Sequence, residues 1–278
     1  MKKAKSKTAI VTGGSKGIGL RIAKILAKKK YNIVICSRKQ SDLIKAKKEI
    51  KLYGVDCLAL KADISNLKQC ELVVKKCIKR FSKIDVLVNN AAIQGPVGKL
   101  WKNNIKEWEK TIQINLTGTF YMTHLVIPQM LKQKSGKIIN LSGGGAAYAR
   151  PLFSAYGCSK IAILRLTETL AEELKDTNIS VISLAPGATW TSMTKEVLNK
   201  SKNVDSKKNV SILNEIKKTG GTSFKQHEKA LIFLLSKKAK TLSGKLIHVN
   251  EIEKVTRKNF KIQSESGLLR RVDYNKNS

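Results

Sequence analysis

Tyr156 and Lys160 stand four residues apart in NLSGGGAAYARPLFSAYGCSK, residues 140–160. On a helix that spacing puts both on one face. A phenol titrates near ~10, which makes it a poor proton donor at neutral pH. A cation one helical turn away stabilises the phenolate, so the pair reads as a proton-transfer group with its pKa drawn toward working pH. Tyr148 has Leu152 at the equivalent position and reads as a packing or cleft-lining residue. Ser154, two residues before Tyr156, reads as the N-cap of the tyrosine's helix.

A second group of residues points to phosphate. TGGSKGIG, residues 12–19, joins an apolar run to an amphipathic segment and spaces Gly13, Gly17 and Gly19 as G-x-x-x-G-x-G. Glycines there permit a tight turn, admit a pyrophosphate close to backbone amides, and leave a helix N-terminus facing the anion. ICSRKQ, residues 35–40, follows the second apolar run. An acid at this place would take a free ribose 2′-hydroxyl, whereas Ser37, Arg38 and Lys39, with Lys16 from the glycine loop, suit a 2′-phosphate. The residues therefore point to NADP(H) rather than NAD(H).

The elements that must position these groups alternate regularly. Apolar runs at 8–13, 31–36, 55–63, 84–91, 136–142, 179–186 and 245–250 are short and nearly continuous, as strands buried on both faces are. Helical periodicity fills 18–29, 41–53, 66–81, 105–133, 156–176 and 225–236. This order predicts an α/β fold, a single-domain Rossmann-like, doubly wound, seven-stranded parallel sheet with helices on both faces. The catalytic domain is expected over 1–250. Residues 187–224 form a long polar connection that reads as a substrate lid or a disordered segment, and 251–278 form a tail.

The bulk composition limits the alternatives. With 278 residues, 42% of them hydrophobic, the chain can bury a large core. The five cysteines, Cys36, Cys57, Cys70, Cys77 and Cys158, form no Cys-x-x-Cys pair and no histidine cluster, so buried free thiols and no metal are expected. The apolar run near the N-terminus is too short for a signal peptide, and no window approaches the ~18 residues of a membrane helix. A cytoplasmic protein without a membrane partner is expected. Fifty-four Lys and Arg against twenty Asp and Glu give a net charge of +34. The lysines are spread over almost every segment, with no basic helix or arginine-rich arm, so the charge reads as a solvated surface and not as specific nucleic-acid binding. Anionic partners such as a phosphorylated cofactor or an acidic carrier protein remain open.

TGGSKGIG, NNAA (89–92), INLTG (114–118), Tyr-x-x-x-Lys and PG (186–187) together resemble the short-chain dehydrogenase/reductase family over roughly residues 7–250. The resemblance implies an NADP(H)-dependent enzyme that interconverts a ketone and a secondary alcohol. It implies Tyr156 as general acid or base, Lys160 as the group that lowers its pKa and bonds the nicotinamide ribose, and Asn115 as holder of a water that links the lysine to solvent. Gly13, Ser15, Lys16, Gly17, Ile18 and Gly19 would hold the pyrophosphate, and Ser37 and Arg38 the 2′-phosphate. Asp63 and Ile64 would meet the adenine, Asn90 and Ala91 the adenosine side, and Pro186, Gly187, Thr189 and Thr191 the nicotinamide amide. The family's serine usually stands thirteen residues before the tyrosine, where this chain has Gly143; Ser142, one residue earlier, is assigned the role on the expectation that the glycine triplet bulges.

Within the family the likeness extends loosely to 3-oxoacyl-acyl-carrier-protein reductases, so the carbonyl substrate is expected either free or acyl-carrier-bound. VNEIEK (249–254) departs from the ending usual in those reductases. A catalytically silent dinucleotide-binding regulator is the other alternative, and a homodimer or homotetramer built through 105–133 and 156–176 is implied.

Overall fold

Seven buried apolar runs pair side by side and all in parallel, in the order β3-β2-β1-β4-β5-β6-β7. They are β1 (Thr8–Thr12), β2 (Asn32–Ser37), β3 (Cys57–Lys61), β4 (Val86–Asn89), β5 (Gly136–Leu141), β6 (Ile179–Ala185) and β7 (Leu246–His248). The computed structural model describes residues 6–204 and 206–255. The rest of the expected tail, 256–278, lies outside the described residues.

Because parallel strands need crossovers, each face of the sheet acquires helices. One face is covered by α1 (Gly17–Lys28), α2 (Gln40–Lys51) and the later α9 (Phe224–Leu235); Ile22, Leu26, Leu43, Ile50 and Leu231 pack there against Val11, Ile33 and Ile35. The other face holds α3 (Leu67–Phe81) with Val73, Val74 and Cys77, and the later α5 (Gly118–Lys132) with Met122, Val126 and Met130, packed against Ile10, Val34 and Leu87. The fold class read from the sequence is the one found.

Three local features differ from expectation. The single helix expected over 105–133 is interrupted: α4 (Ile105–Ile112) passes through a π-helical turn, Gln113–Thr117, into α5 (Gly118–Lys132). Such a turn adds one residue to the helical circuit and reorients a side chain. Here Asn115 turns inward to bond the Ile93 backbone, and Gly118 lies so close to Ile64 that a Cβ would sit 2.7 Å from Ile64 Cδ1.

The tyrosine's helix, α6 (Ser154–Glu173), begins with Ser154 inside it. Ser154 caps nothing; its Oγ accepts from Trp108 Nε1 at 3.1 Å and Asn103 Nδ2 at 3.3 Å, which ties the start of α6 to α4.

The polar connection 187–224 is built of two helices, α7 (Ser192–Lys202) and α8 (Lys207–Thr219), before α9 (Phe224–Leu235). Val197, Leu198 and Leu213 join Phe153 in a separate small core, with Val210, Ile216, Trp190 and Tyr156 packed against it. Apolar residues at 210, 213 and 216 recur every three positions, enough for a helical stripe in an otherwise lysine-rich segment.

A buried polar chain ties the centre of the sheet together. Asn89 Nδ2 donates to Thr123 Oγ1 and to Asn140 Oδ1, and Asn140 Nδ2 donates to Thr167 Oγ1, each at 2.9 Å. The chain joins α5, β4, β5 and α6 directly beneath the strand ends. Replacing Asn140 by Ala strands a donor on Asn89 and leaves a void, so Asn140→Ala is expected to destabilise the protein by about 2–4 kcal/mol. Urea unfolding against the exposed control Lys45→Ala measures it; a loss no larger than the control's would show the chain is not a structural tie.

Candidate active site

A cleft runs along the carboxyl ends of the central strands, where such sheets place their loops. Its floor is the turn after β1. Gly13 and Gly17 have φ of +63° and +58°, and a Cβ on Gly19 would lie 2.4 Å from both Gly13 O and Asn90 Nδ2. Side chains at these places would fill the cradle or clash with its support. Asn90 supplies that support, its Nδ2 donating to Thr12 O at 2.8 Å, while Thr12 Oγ1 accepts the Asn90 and Ala91 amides at 3.0 Å. The N-terminus of α1 has no side-chain cap, so its first-turn amides are open to an anion.

Beside the floor stand three cations. Lys16, Arg38 and Lys39 are exposed, and Asp42 sits 4.0 Å from each of the two lysine ammoniums. Arg38 has no protein partner among the described residues. Ser37 Oγ is buried with no hydrogen-bond partner. Asp63 and Ile64 line the same end; Asp63 Oδ1 accepts from Ser65 N at 3.0 Å and Ser65 Oγ at 2.7 Å.

At the other end Ser142, Tyr156 and Lys160 line the cleft together. Lys160 is 3% exposed, donates from Nζ to Leu141 O at 2.8 Å, and lies 5.4 Å from the centre of the Tyr156 ring. Burial pulls its pKa from 10.5 down to about 8. Burial also raises the Tyr156 phenol above its ordinary value; the cation that counters it is Arg150, and Tyr148 adds to the rise. The expected lowering of the tyrosine by Lys160 is therefore not what this structure has. Desolvation outweighs charge, and the lysine's proton is engaged with Leu141.

The glycine triplet is a tight contact and not a loose bridge. A Cβ on Gly143 would fall 2.8 Å from the Tyr156 hydroxyl, one on Gly144 2.7 Å from the Tyr148 hydroxyl, and one on Gly145 3.0 Å from Gly157 Cα. Position 143 thus faces the phenol without a side chain. Ser142 continues the β5 pairing, with its amide donating to Leu184 O at 2.9 Å, and its Oγ is buried with no partner.

Asn115 does not line the cleft. Its side chain bonds Ile93 N and Ile93 O at 2.8 and 2.9 Å and donates to Ser159 Oγ at 3.0 Å, which braces the loop after β4 against α6. Pro186 and Thr191 line the cleft, whereas Gly187 and Thr189 do not. Gly187 packs on Thr222, and Thr189 forms a bridge with Gly221. Sequence reasoning missed Asp42, Ile93, Ile114 and Met193 as lining residues; Ile93 follows a recognised motif and Ile114 opens one, which was the available signal. It also missed His227, whose Nε2 meets Pro186 O at 2.9 Å.

Of the cysteines, Cys36, Cys57, Cys70 and Cys77 are buried, with thiols pushed up to about 12 by desolvation, while Cys158 is exposed. Among the described residues no three His, Cys, Asp or Glu gather as a metal site would require, and no helix is long and apolar enough to cross a membrane.

The chain matches the family described as short chain dehydrogenase over residues 7–202. It is 34% identical over 248 residues to the 3-oxoacyl-[acyl-carrier-protein] reductase FabG of Staphylococcus aureus, covering 88% of this chain and 97% of that one. Among solved structures it is similar to NAD+-bound xylitol dehydrogenase, with a TM-score of 0.81, 26% identity and coverage of 89% and 98%. It is also similar to an actinorhodin polyketide ketoreductase variant with NADPH, with a TM-score of 0.80, 26% identity and coverage of 88% and 95%.

The buried lysine sets a pH signature. Below its native pKa of about 8 both folded and unfolded chains hold the proton, and the folded chain bears the cost of burying it. Between about 8 and 10.5 the folded chain releases the proton while the unfolded chain keeps it, so this residue's contribution to stability rises with pH. The stability difference between wild type and Lys160→Met should shift toward wild type by about 2 kcal/mol between roughly pH 7 and pH 10. Urea titrations of both proteins across that range check it, and a pH-independent difference would count against a buried ammonium.

Proposed function

The chain belongs to the short-chain dehydrogenase family, and from that premise we propose that it is an NADP(H)-dependent oxidoreductase interconverting a ketone and a secondary alcohol. The observation that carries this reading is one cleft with Tyr156, Lys160 and the orphaned Ser142 hydroxyl at one end and an uncapped helix N-terminus over a glycine floor at the other. The residues present fit a dinucleotide. Gly13, Ser15, Lys16, Gly17, Ile18 and Gly19 would hold its pyrophosphate, Asp63, Ile64, Asn90 and Ala91 its adenosine side, and Pro186 and Thr191 its nicotinamide end. Ser37 Oγ, buried and unpartnered, offers a further bond beside Arg38.

When bound, the cofactor supplies or accepts the hydride. The protein's part is to hold the carbonyl oxygen and move one proton. In reduction Tyr156 gives its phenolic proton to that oxygen. Burial keeps the phenol protonated, so the proton is present to be given, and the charge it leaves behind would be met by Lys160 and Arg150. Lys160 has three ammonium protons and spends one on Leu141 O, which leaves donors for the ribose and for the phenolate. Ser142 Oγ would polarise the carbonyl, a ligand oxygen being the partner it lacks. Asn115 acts as a positioning residue through Ser159 and Ile93, and its backbone lies in the π-turn, where its carbonyl accepts from Thr119 Oγ1 at 2.7 Å.

NADP(H) over NAD(H) is supported by Lys16, Arg38 and Lys39 around the second strand's end, with Asp42 the only carboxylate beside them among the lining residues at that strand's end. The two cofactor-bound neighbours carry one form each, so the preference rests on these side chains. A 3-oxoacyl-acyl-carrier substrate is the second reading, favoured by the 34% identity to a reductase of that name. Exposed Trp101, Ile105, Phe120 and Leu131 on or beside α4 and α5 support assembly as a homodimer or homotetramer. A cytoplasmic setting suits four buried reduced thiols.

Following NADPH absorbance across a ketone panel tests the reading. Tyr156→Phe should lower kcat by at least about a thousandfold while cofactor binding persists; retained turnover would end the mechanism. Ser142→Ala should lower it by about a hundredfold, and near-normal turnover would free Ser142 of that role. The kcat/KM ratio for NADPH over NADH should exceed about a hundredfold and fall at least about tenfold in Arg38→Ser; equal use of both cofactors by wild type would overturn the preference.

A further inference from the structure

We propose that Arg150 sets substrate specificity, its guanidinium binding a carboxylate carried within a few bonds of the reacting carbonyl, so that the preferred substrate is a short oxo acid and not a neutral ketone. The inference rests on the oxidoreductase reading above and names the substrate class for that site.

Arg150 lies in the loop between β5 and α6, half-buried. Its Cζ stands 3.9 Å over the Phe153 ring and 5.7 Å from the Tyr156 ring centre. Phe153 is itself fully buried, so the fork rests on a fixed platform that orients it beside the phenol. Arginine stacked this way loses little freedom on taking a bidentate anion.

What the guanidinium lacks is an anion. Among the described arginines, Arg21 donates to Thr222 O, Arg80 pairs with Asp56, and Arg165 pairs with Glu168. Arg38 and Arg150 have no oxygen partner among the described residues. Arg38 lines the end of the cleft that suits a nucleotide phosphate; Arg150 stands against Tyr156, which lines the other end. The titratable groups that act on Arg150 are the phenols of Tyr156 and Tyr148, with no carboxylate among them, and burial pulls its pKa below the usual arginine range. A partly desolvated, unpaired cation is costly unless a ligand completes it.

No side chain competes for the phenol on the glycine side: position 143, in contact with the Tyr156 hydroxyl, carries none. The proximity of guanidinium to phenol also limits the substrate. If the carbonyl oxygen takes the tyrosine's proton, an anion reaching Arg150 is separated from it by only a few bonds. A distant phosphate on a long carrier arm does not meet this condition, whereas the carboxylate of a 2-, 3- or 4-oxo acid does.

The test uses the full chain and three matched pairs: pyruvate, 3-oxobutanoate and 4-oxopentanoate, each against its methyl ester. Calorimetric titration with and without NADP+ reads binding, and NADPH absorbance reads turnover. For at least one pair wild type should bind the acid at least about tenfold more tightly than the ester, with an advantage that shrinks as salt rises. Arg150→Gln should bring that ratio close to one, and Arg150→Lys should keep an intermediate ratio. Acid and ester bound alike in all three pairs by wild type, or a preference unchanged in Arg150→Gln, would overturn the proposal. If Arg150→Gln does not fold, judged by circular dichroism, the wild-type ratio and Arg150→Lys decide: a preference that the lysine leaves whole speaks against the fork. Selective acid binding without NADPH consumption would sink the oxidoreductase reading and, with it, the substrate class, leaving Arg150 as an anion site alone. Equal reduction and equal binding of acids and esters would sink this inference and leave the oxidoreductase reading standing.

Discussion

The hydrogen bond from the Lys160 ammonium to the Leu141 carbonyl carries the architecture of the site. An ammonium that is 3% exposed forfeits nearly all its hydration, and a single 2.8 Å bond to a strand-end carbonyl is what the described protein returns. That bond fixes α6 across the end of β5. Everything else at this end of the cleft takes its position from there: Tyr156 one turn earlier, Ser142 one residue beyond Leu141, and the glycines that let the phenol approach. The lowered lysine pKa and the raised tyrosine pKa are two results of the same burial. Both make the neutral forms easier to reach, so a proton passes more readily from the ammonium to the phenolate than back.

Holding a lysine there requires a rigid frame, and the buried polar chain supplies it. Asn89, Thr123, Asn140 and Thr167 link the two central strands to α5 and α6 on one face of the sheet, and Asn115 and Ser159 link the π-turn to α6. These bonds lie in a low-dielectric interior where unpaired groups are costly, so they fix one register and one helix orientation. An apolar core at the same places would pack as well and specify less. The fold therefore spends its interior polarity where the strands deliver chemistry.

The sheet, its order of elements and the glycine loop were readable because each rests on local pattern. Strands buried on both faces are continuous in apolar character, and a turn that must accept positive φ takes glycine. The misses arise where tertiary contact decides. Residues 105–133 have unbroken helical periodicity, and only the Ile93 backbone makes Asn115 turn in and the helix widen. Ser154 has the residue type and place of a cap, yet Trp108 and Asn103 claim its oxygen. In 187–224 the stripe at 210, 213 and 216 is sparse beside the lysines, and it becomes a core only because Phe153 and Trp190 come to meet it. The Tyr156 pKa was misjudged for the same reason: helical spacing gives the nearest charge but says nothing of how much water is removed.

Two unpartnered arginines, one lining the cleft and one against its tyrosine, give a local polarity that the overall charge conceals. A net charge of +34 raises the potential everywhere and by itself selects no ligand. Lysines on the surface keep their water and are screened within about 10 Å at ordinary salt. The cations that matter are those whose partners the fold withholds. Arg38 faces the floor with Lys16 and Lys39 beside it, while Arg150 is stacked on Phe153 next to the phenol. Between them lie a glycine floor, uncapped amides and two orphaned hydroxyls, all donors or small enough to leave room. A ligand that satisfies the whole cleft carries negative charge at both ends and a reducible oxygen near one of them, which a phosphorylated dinucleotide and an oxo acid bound together would provide.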